Sequence, residues 1–573
     1  MTDQTAGGGA RVFGPAARNV IAARSVYWLV GLIAGLVALR IYVSEGGPAT
    51  MTFTAAVNGA IAGVVLLVCR RPLVAAVLVG SLTFIITVAA ATKRQLLNIV
   101  LHAYDLVFYL KSSSTVSYLW ADYRFYVLAA LAAVLMLIAA TVVAYRVDGT
   151  RVRRRHALAG TMFCVVVATV AVHIAGDRRH THFEYRGQYL SSFYRSWSET
   201  LETLWRGQII EAAPAPARGL FTIPTDCAPT EKPPNVILIH HESIAPPSLF
   251  PQLKYDPSID PLFRSDDGKN YILRVETYGG ASSLTEFSVL TGLSTYSFGG
   301  MRQFIHFVMA GKIKDTLPQA LERCGYRNVL FYPMLKGFVS ADRFFAGIGL
   351  NEIFDLRDQK ARSTKERDIF YYRNAIDEFE RHMKASSRPM FAFIETMATH
   401  WPYHIPFMPE VKVPGGAPGT HPELYEYLRR LSMAKMDLAQ LKSELARRFP
   451  KERFLIVRYG DHQPMATRML LGFKENTEAE DVLVDRNSVA FLTFFAINGV
   501  NFTPKPQKLP DIVDVPYIGT MLQAAAGLPL SDSYVERQRL LAACEGRYHG
   551  CEDQDRVLDF HRRMIDSALL KVD

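Results

Sequence analysis

The stretch Tyr278-Gly-Gly-Ala-Ser-Ser-Leu-Thr-Glu-Phe287 places two hydroxyls where they could do chemistry. It follows the β-prone run Tyr271 to Val275 and leads into Phe287, Val289, Leu290 and Leu293, apolar positions at helical spacing. Two glycines permit a tight strand-to-helix turn, so Ser282 and Ser283 fall where a helix begins. A helix start offers unpaired N–H groups and a positive dipole end, which suits an anion such as phosphate. The competing assignment is a serine that only caps the helix. Two other apolar runs end in polar groups. Asn235-Val-Ile-Leu-Ile-His-His-Glu-Ser243 closes on His240, His241 and Glu242, and Phe454-Leu-Ile-Val-Arg-Tyr-Gly-Asp-His-Gln-Pro464 closes on Asp461 and His462. Strand C-terminal ends converge on one edge of an open α/β sheet, and ligands bind there. Glu242, Ser282, Asp461 and His462 can therefore meet around one metal ion, with His240 and His241 as competing ligands beside Glu242.

The elements that position these groups alternate. Strands are expected near 235–240, 271–277, 328–332, 390–396, 454–459 and 488–497, and helices near 283–293, 316–325, 369–384, 424–448 and 515–526. That order predicts a mainly parallel sheet with helices on both faces. The proline-rich stretches 211–218 and 227–234 read as linkers, which starts this domain near Pro234.

The N-terminal third is different. Apolar runs at about 26–43, 53–69, 73–92, 126–145 and 157–175 approach the roughly 20 residues of a spanning helix. The first has no small-residue cleavage site after it and reads as an anchor. Much of the net charge of +10 sits in arginine clusters beside these runs, which points to a membrane and away from nucleic acid. With five spans, the N-terminus, Arg70-Arg71 and the Arg146 to Arg155 loop share one side, the cytoplasmic one, and the fifth span delivers the rest outside. The segments 94–126 and 185–204 hold aromatics, Tyr104 and Trp197 among them, suited to a membrane interface. The six cysteines show no paired CxxC spacing; outside the cytoplasm, Cys227, Cys324, Cys544 and Cys551 are disulfide candidates, Cys544–Cys551 foremost.

Glu-Ser after a first strand, a hydroxyl at a helix start and Gly-Asp-His after a late strand resemble the alkaline-phosphatase/sulfatase superfamily. The closer resemblance is to its membrane-anchored branch: lipoteichoic acid synthases, phosphoethanolamine transferases and phosphoglycerol transferases. The lipoteichoic acid synthase pattern Gly-Lys-Thr-Ser-Asp-Ser-Glu-Phe aligns on Gly280 to Phe287, which implies Ser282 as nucleophile where most relatives carry threonine. It selects Glu242 over its histidine neighbours and implies a divalent ion, zinc or manganese, held by Glu242, Ser282, Asp461 and His462. His400, in Thr399-His-Trp-Pro402, matches a family histidine suited to general acid work, while His404 has no such match. The phosphoglycerol-recognition residues of the synthases correspond here to Tyr332, Val339 and Ala341; Tyr332, Lys336, Arg343 and His404 are the substitute substrate contacts.

The implied architecture is an N-terminal all-α five-helix transmembrane domain (25–176) after a cytoplasmic tail (1–24), a juxtamembrane amphipathic helix and linker (177–233), and an α/β/α alkaline-phosphatase-like, sulfatase-like catalytic domain (234–573). The implied function is metal-dependent transfer of a phospholipid headgroup to an extracytoplasmic glycan or glycolipid, through a covalent Ser282 intermediate and with release of diacylglycerol. The donor is phosphatidylglycerol or phosphatidylethanolamine, phosphoglycerol being favoured, at a bacterial inner membrane with the catalytic domain on the periplasmic side. The alternatives are a phosphoethanolamine transferase acting on lipid A or another glycolipid and a non-catalytic membrane-anchored envelope regulator of the same fold. A sulfatase is disfavoured because Cys227-Ala-Pro-Thr-Glu231 lacks the arginine that formylglycine formation needs.

Overall fold

The computed structural model describes residues 35–36, 38–45, 47–97, 101–108, 120, 124–175, 189–206, 209–217, 219–225, 227–229, 231–337, 341–413, 421–472 and 485–572. The chain divides into two units: 1–92, 128–177 and 186–195 form the first, and 93–127, 178–185 and 196–573 the second.

Four long helices, α1 (Pro48–Cys69), α2 (Pro72–Leu97), α3 (Arg124–Val147) and α4 (Arg154–Ala175), are apolar enough to cross a membrane, and the chain is membrane-anchored through them. They correspond to the expected runs at 53–69, 73–92, 126–145 and 157–175; the expected first span, 26–43, falls largely outside the described residues. The two arginine-bearing connections lie at one end of this unit, as their placement required. Val152 N–H donates to Arg70 O at 2.9 Å, and Arg71 Nη1 to Asp148 O at 2.8 Å. Near the start of α1, the buried carboxylate of Glu45 accepts from Leu190 N and Ser191 N, each at 2.9 Å, and so caps α5 (Tyr189–Arg206).

Helices α1 and α4 pack through small residues. A methyl group added at Gly63 would sit 2.1 Å from Thr161 Oγ1, and one at Gly59 2.7 Å from Cys164 Sγ. Gly59 and Gly63 are one helical turn apart, the small-xxx-small spacing that lets helices approach closely in lipid. Gly63→Val is therefore expected to destabilise this unit by about 1–3 kcal/mol through overpacking. Unfolding of the detergent-solubilised protein would measure it, with Gly160→Val, where a Cβ meets nothing within 4 Å, as the tolerated control.

The second unit holds an eight-stranded sheet: β1 (Asn235–His241), β2 (Tyr271–Arg274), β3 (Arg327–Phe331), β4 (Glu352–Phe354), β5 (Met390–Glu395), β6 (Phe454–Gly460), β7 (Leu492–Val500) and β8 (Ile512–Asp514). Their spatial order is β4-β3-β5-β1-β6-β7-β2-β8, and β7 alone runs antiparallel to its neighbours. Every residue of β1 is buried, as a central strand covered on both faces requires. Val236 and Leu238 pack into one apolar cluster with Leu284 and Phe287 of α6 (Ser282–Thr291). Ile237 and Ile239 pack into the other, with Tyr372 of α7 (Asp368–Ala385) and Leu431 of α8 (Pro422–Arg448). Helices thus cover both faces of a mainly parallel sheet, as expected. The short edge strands β4 and β8 and the helices Asp532–Ala543 and Gln554–Asp566 were not anticipated. Disulfides join Cys227 to Cys324 and Cys544 to Cys551.

The aromatics expected at an interface divide. Tyr109, Tyr118 and Tyr123 lie outside the described residues, and Trp197 is exposed. His102 and Tyr104 are buried: they stack on each other at 4.7 Å and pack against Phe304. Their apolar partners come from a segment some 200 positions away, which no local pattern announces.

Candidate functional site

Because β1, β2 and β6 are co-directional, the loops leaving them open on one edge, and this is where the quoted residues gather. Gly279 (φ +68°) and Gly280 (φ +158°) turn the chain from β2 into α6. Ala281, in the left-handed region at φ +62°, takes the cap position with no side-chain cap bond, and Ser282 is the first helical residue. Its hydroxyl is not used as a cap. Ser282 Oγ donates to Glu242 Oε2 at 3.0 Å and lies 3.5 Å from His462 Nε2. Gly460 lets the two strand ends meet, since a Cβ there would sit 2.0 Å from Ile244 O. Ser243, next to Glu242, is also left-handed at φ +54°. Non-glycine residues thus adopt this costly conformation directly beside both Glu242 and Ser282, a concentration of strain common at functional sites.

Asp461 lies at the centre. Its Oδ1 accepts from Ser243 N and His462 N, both at 2.7 Å. Its Oδ2 is buried without a well-aligned hydrogen bond, although His240 Nε2 and His462 Nε2 each lie 3.2 Å away. Glu242 Oε1 is 3.5 Å from His462 Nε2. One ligand atom from each of His240, Glu242 and Asp461 falls within 4.8 Å of the others, and all three residues are buried. An orphaned carboxylate oxygen facing imidazole nitrogens and a second carboxylate fits a divalent cation. His462 Nδ1 lies 2.9 Å from Gln463 O; donating there leaves Nε2 with its lone pair toward the cluster, the usual arrangement of a ligating histidine. Burial alone would raise the Asp461 pKa, but His462 and His240 hold it well below the carboxylate range. Burial opposes the charge on His240, and the adjacent Asp461 carboxylate outweighs it, so its pKa is raised.

His240 and His241, alternatives in the sequence, are separated by the pleat. Successive side chains on β1 point to opposite faces, so His240 meets Asp461 and Tyr459 while His241 meets Phe494 and Asp368. His241 is thereby removed from the cluster. Burial drives its pKa well below the usual histidine value. Asp368 is buried with it and pushed up to about 8, by burial first and then by Asp437. A carboxyl whose folded pKa exceeds its ordinary 3.8 makes the protein progressively less stable as pH rises from there to about 8. Asp368→Asn removes that dependence. Its melting temperature should exceed wild type most at pH 8 and converge with it near pH 4, which calorimetry across that range would read.

Two further carboxyls lie behind the cluster. Burial raises Glu286 to about 7 and Glu395 well above the usual carboxylate range, because the charged form is poorly solvated there. Glu286 stood in a quoted motif and Glu395 in the expected strand 390–396, but neither spacing nor residue type separated them from core-capping acids.

The remaining sequence candidates are spread out. His400 is half-buried on the loop after β5, with Nδ1 2.6 Å from Trp401 O, and its neighbour Thr399 hydrogen-bonds through Oγ1 to Glu242 O. Tyr332 is buried edge-to-face against Phe345, while Lys336, 3.7 Å from Asp358, and Arg343 have exposed side chains. His404 is exposed, its ring 6.1 Å from that of Trp401. Arg430 escaped sequence reasoning altogether. It is buried in α8 and donates to the carbonyls of His400, Pro402 and Ile405 at 2.7, 2.8 and 2.9 Å, which fixes the His400 loop.

Residues 234–508 match the Sulfatase family. An uncharacterized protein of Haemophilus influenzae is 21% identical over 323 residues, 54% of this chain and 54% of its own, so the chain spans about half the length of that relative. Among solved structures, a Streptococcus pyogenes phosphoglycerol transferase in complex with sn-glycerol-1-phosphate is similar at 17% identity and a TM-score of 0.47, covering 61% of this chain and 95% of that one. The Neisseria meningitidis integral membrane lipooligosaccharide phosphoethanolamine transferase A is similar at 12% identity and a TM-score of 0.47, covering 90% and 99%. Behind its membrane helices, this chain carries a Sulfatase-family domain of the alkaline-phosphatase-like kind, and the cluster of Glu242, Ser282, Asp461 and His462 lies within it.

Proposed function

We propose that the protein transfers a phospholipid headgroup, phosphoglycerol in preference to phosphoethanolamine, to a hydroxyl of an extracytoplasmic glycan or glycolipid. The observation that carries the reading is the Ser282 hydroxyl, bonded to Glu242 at 3.0 Å and beside His462, at the start of a helix on the ligand-binding edge. Glu242, Ser282, Asp461 and His462 would hold a divalent ion, zinc or manganese, with His240 as a further imidazole. Bound there, it would supply neutralisation of phosphate charge and acidify a hydroxyl.

Ser282 Oγ attacks the headgroup phosphorus as its proton passes along the existing hydrogen bond to Glu242 Oε2. The bond from phosphorus to the diacylglycerol oxygen breaks, and His400 protonates that leaving oxygen. A sugar hydroxyl then attacks the phosphorus and passes its proton to His400, while the bond to Ser282 Oγ breaks and Glu242 returns its proton, which regenerates the serine and both side chains. Lys336, Arg343 and His404 have side chains exposed for substrate contact; Tyr332 would act from beneath, through the packing of that region. Four apolar helices in the same chain support a donor that is itself embedded in the membrane. Two disulfides in the Sulfatase-family unit and the arginine-rich helix connections support an extracytoplasmic site on a bacterial inner membrane.

Intact-mass analysis after exposure to phosphatidylglycerol or phosphatidylethanolamine, with and without EDTA, tests the reading. An EDTA-sensitive adduct of one headgroup mass, with diacylglycerol released, is the expected result. Absence of both from the metal-loaded protein with either lipid would count decisively against it.

A further inference from the structure

Resting on the transfer reading, we propose that Lys365 anchors the anionic phosphate of the donor headgroup beside His400. Lys365 Nζ donates to Trp401 O at 2.5 Å, and His400 Nδ1 meets the same oxygen at 2.6 Å. A carbonyl oxygen has two lone pairs and can accept both bonds. The ammonium and the imidazole are thereby set side by side, and the neutral ring carries its proton on Nδ1, leaving Nε2 as its basic nitrogen.

The carbonyl that joins them is rigidly held. Arg430 donates to the carbonyls on either side of it, His400 O and Pro402 O, and is itself braced by Glu426 Oε1 at 2.8 Å. Thr399 ties the same loop to the backbone of Glu242. Lys365 is half-buried, and it shares the Trp401 carbonyl with His400, whose neighbour Thr399 is bonded to the backbone of Glu242. An ammonium has three donors, and the Trp401 bond uses one. Acids at the strand ends repel a phosphodiester, and a fixed cation beside His400 counters that repulsion. No sequence signal marked this lysine, which stands in the mixed-charge run Arg362-Ser-Thr-Lys-Glu-Arg367.

The test uses the full-length, manganese-loaded protein, with inorganic phosphate titrated by calorimetry. Lys365→Met should bind phosphate roughly 10- to 100-fold more weakly, the usual cost of losing a charged hydrogen bond. Lys365→Arg, which keeps the charge, should bind within about threefold of wild type. Equal affinity of wild type and Lys365→Met, no phosphate binding by wild type, or a loss in Lys365→Arg as large as in Lys365→Met would overturn the proposal. Phosphatidylglycerol vesicles separate lipid headgroup from free phosphate: KM for diacylglycerol release should rise by a similar factor in Lys365→Met, with kcat less affected. An unchanged KM beside weakened phosphate binding would overturn the headgroup assignment. Wild type that binds phosphate through Lys365 yet releases no diacylglycerol would sink the transfer reading and leave the anion anchor standing.

Discussion

Ser282→Ala should abolish both the covalent headgroup adduct and diacylglycerol release, lowering turnover by on the order of 10⁴-fold or more. The size follows from the chemistry assigned to the hydroxyl: without it no bond to phosphorus can form, and only water or the acceptor can attack directly. The fold should be little affected. Ser282 is not a helix cap, and its side chain makes no cap bond whose loss would unravel α6. Unchanged thermal unfolding beside lost adduct would separate a chemical role from a structural one. Ser282→Thr keeps a hydroxyl at the same helix start and should retain the adduct, whereas retention of the adduct in Ser282→Ala would remove Ser282 as nucleophile. Ser283→Ala provides the neighbouring control, since it is the Ser282 hydroxyl that is bonded to Glu242.

The second large effect separates two adjacent histidines. His240→Ala should weaken manganese or zinc binding about 10- to 100-fold, the range seen when an imidazole that ligates or orients a metal site is lost. His241→Ala should leave metal affinity unchanged and instead destabilise the fold by about 2–4 kcal/mol, through a cavity in the core against Phe494. Metal titration and chemical denaturation of both variants would read the two effects independently. The contrast rests on the pleat of β1, which turns His240 toward Asp461 Oδ2 at 3.2 Å and His241 to the opposite face. Equal metal affinity in the two variants would mean that His240 only buttresses the Asp461 carboxylate, leaving Glu242, Asp461 and His462 as the protein ligands to examine.

Much of this protein was legible before any coordinates. Four apolar runs matched helices because twenty consecutive apolar side chains have few stable settings other than a bilayer. The alternation of strand and helix after Pro234 announced the sheet. Glu242, Ser282, Asp461 and His462 stood out because each follows a strand and parallel strands share an edge, while only the family resemblance chose Glu242 over its histidine neighbours. Residue type and local period suffice for such statements, since each depends on a few neighbouring positions. The tertiary structure decided what depends on distant ones. Whether Ser282 caps its helix or meets Glu242 turned on the left-handed Ala281 and a partner 40 residues upstream. The choice between His240 and His241 needed the face on which β6 brings Asp461, and the burial of His102 and Tyr104 needed Phe304. Lys365, just before α7, and Arg430, in α8, lie far apart in the chain and meet on the loop after β5, where they hold neighbouring carbonyls. Hydrogen bonds and ion pairs act over a few ångströms of space, and the folded sheet brings together positions whose local sequence carries no record of one another.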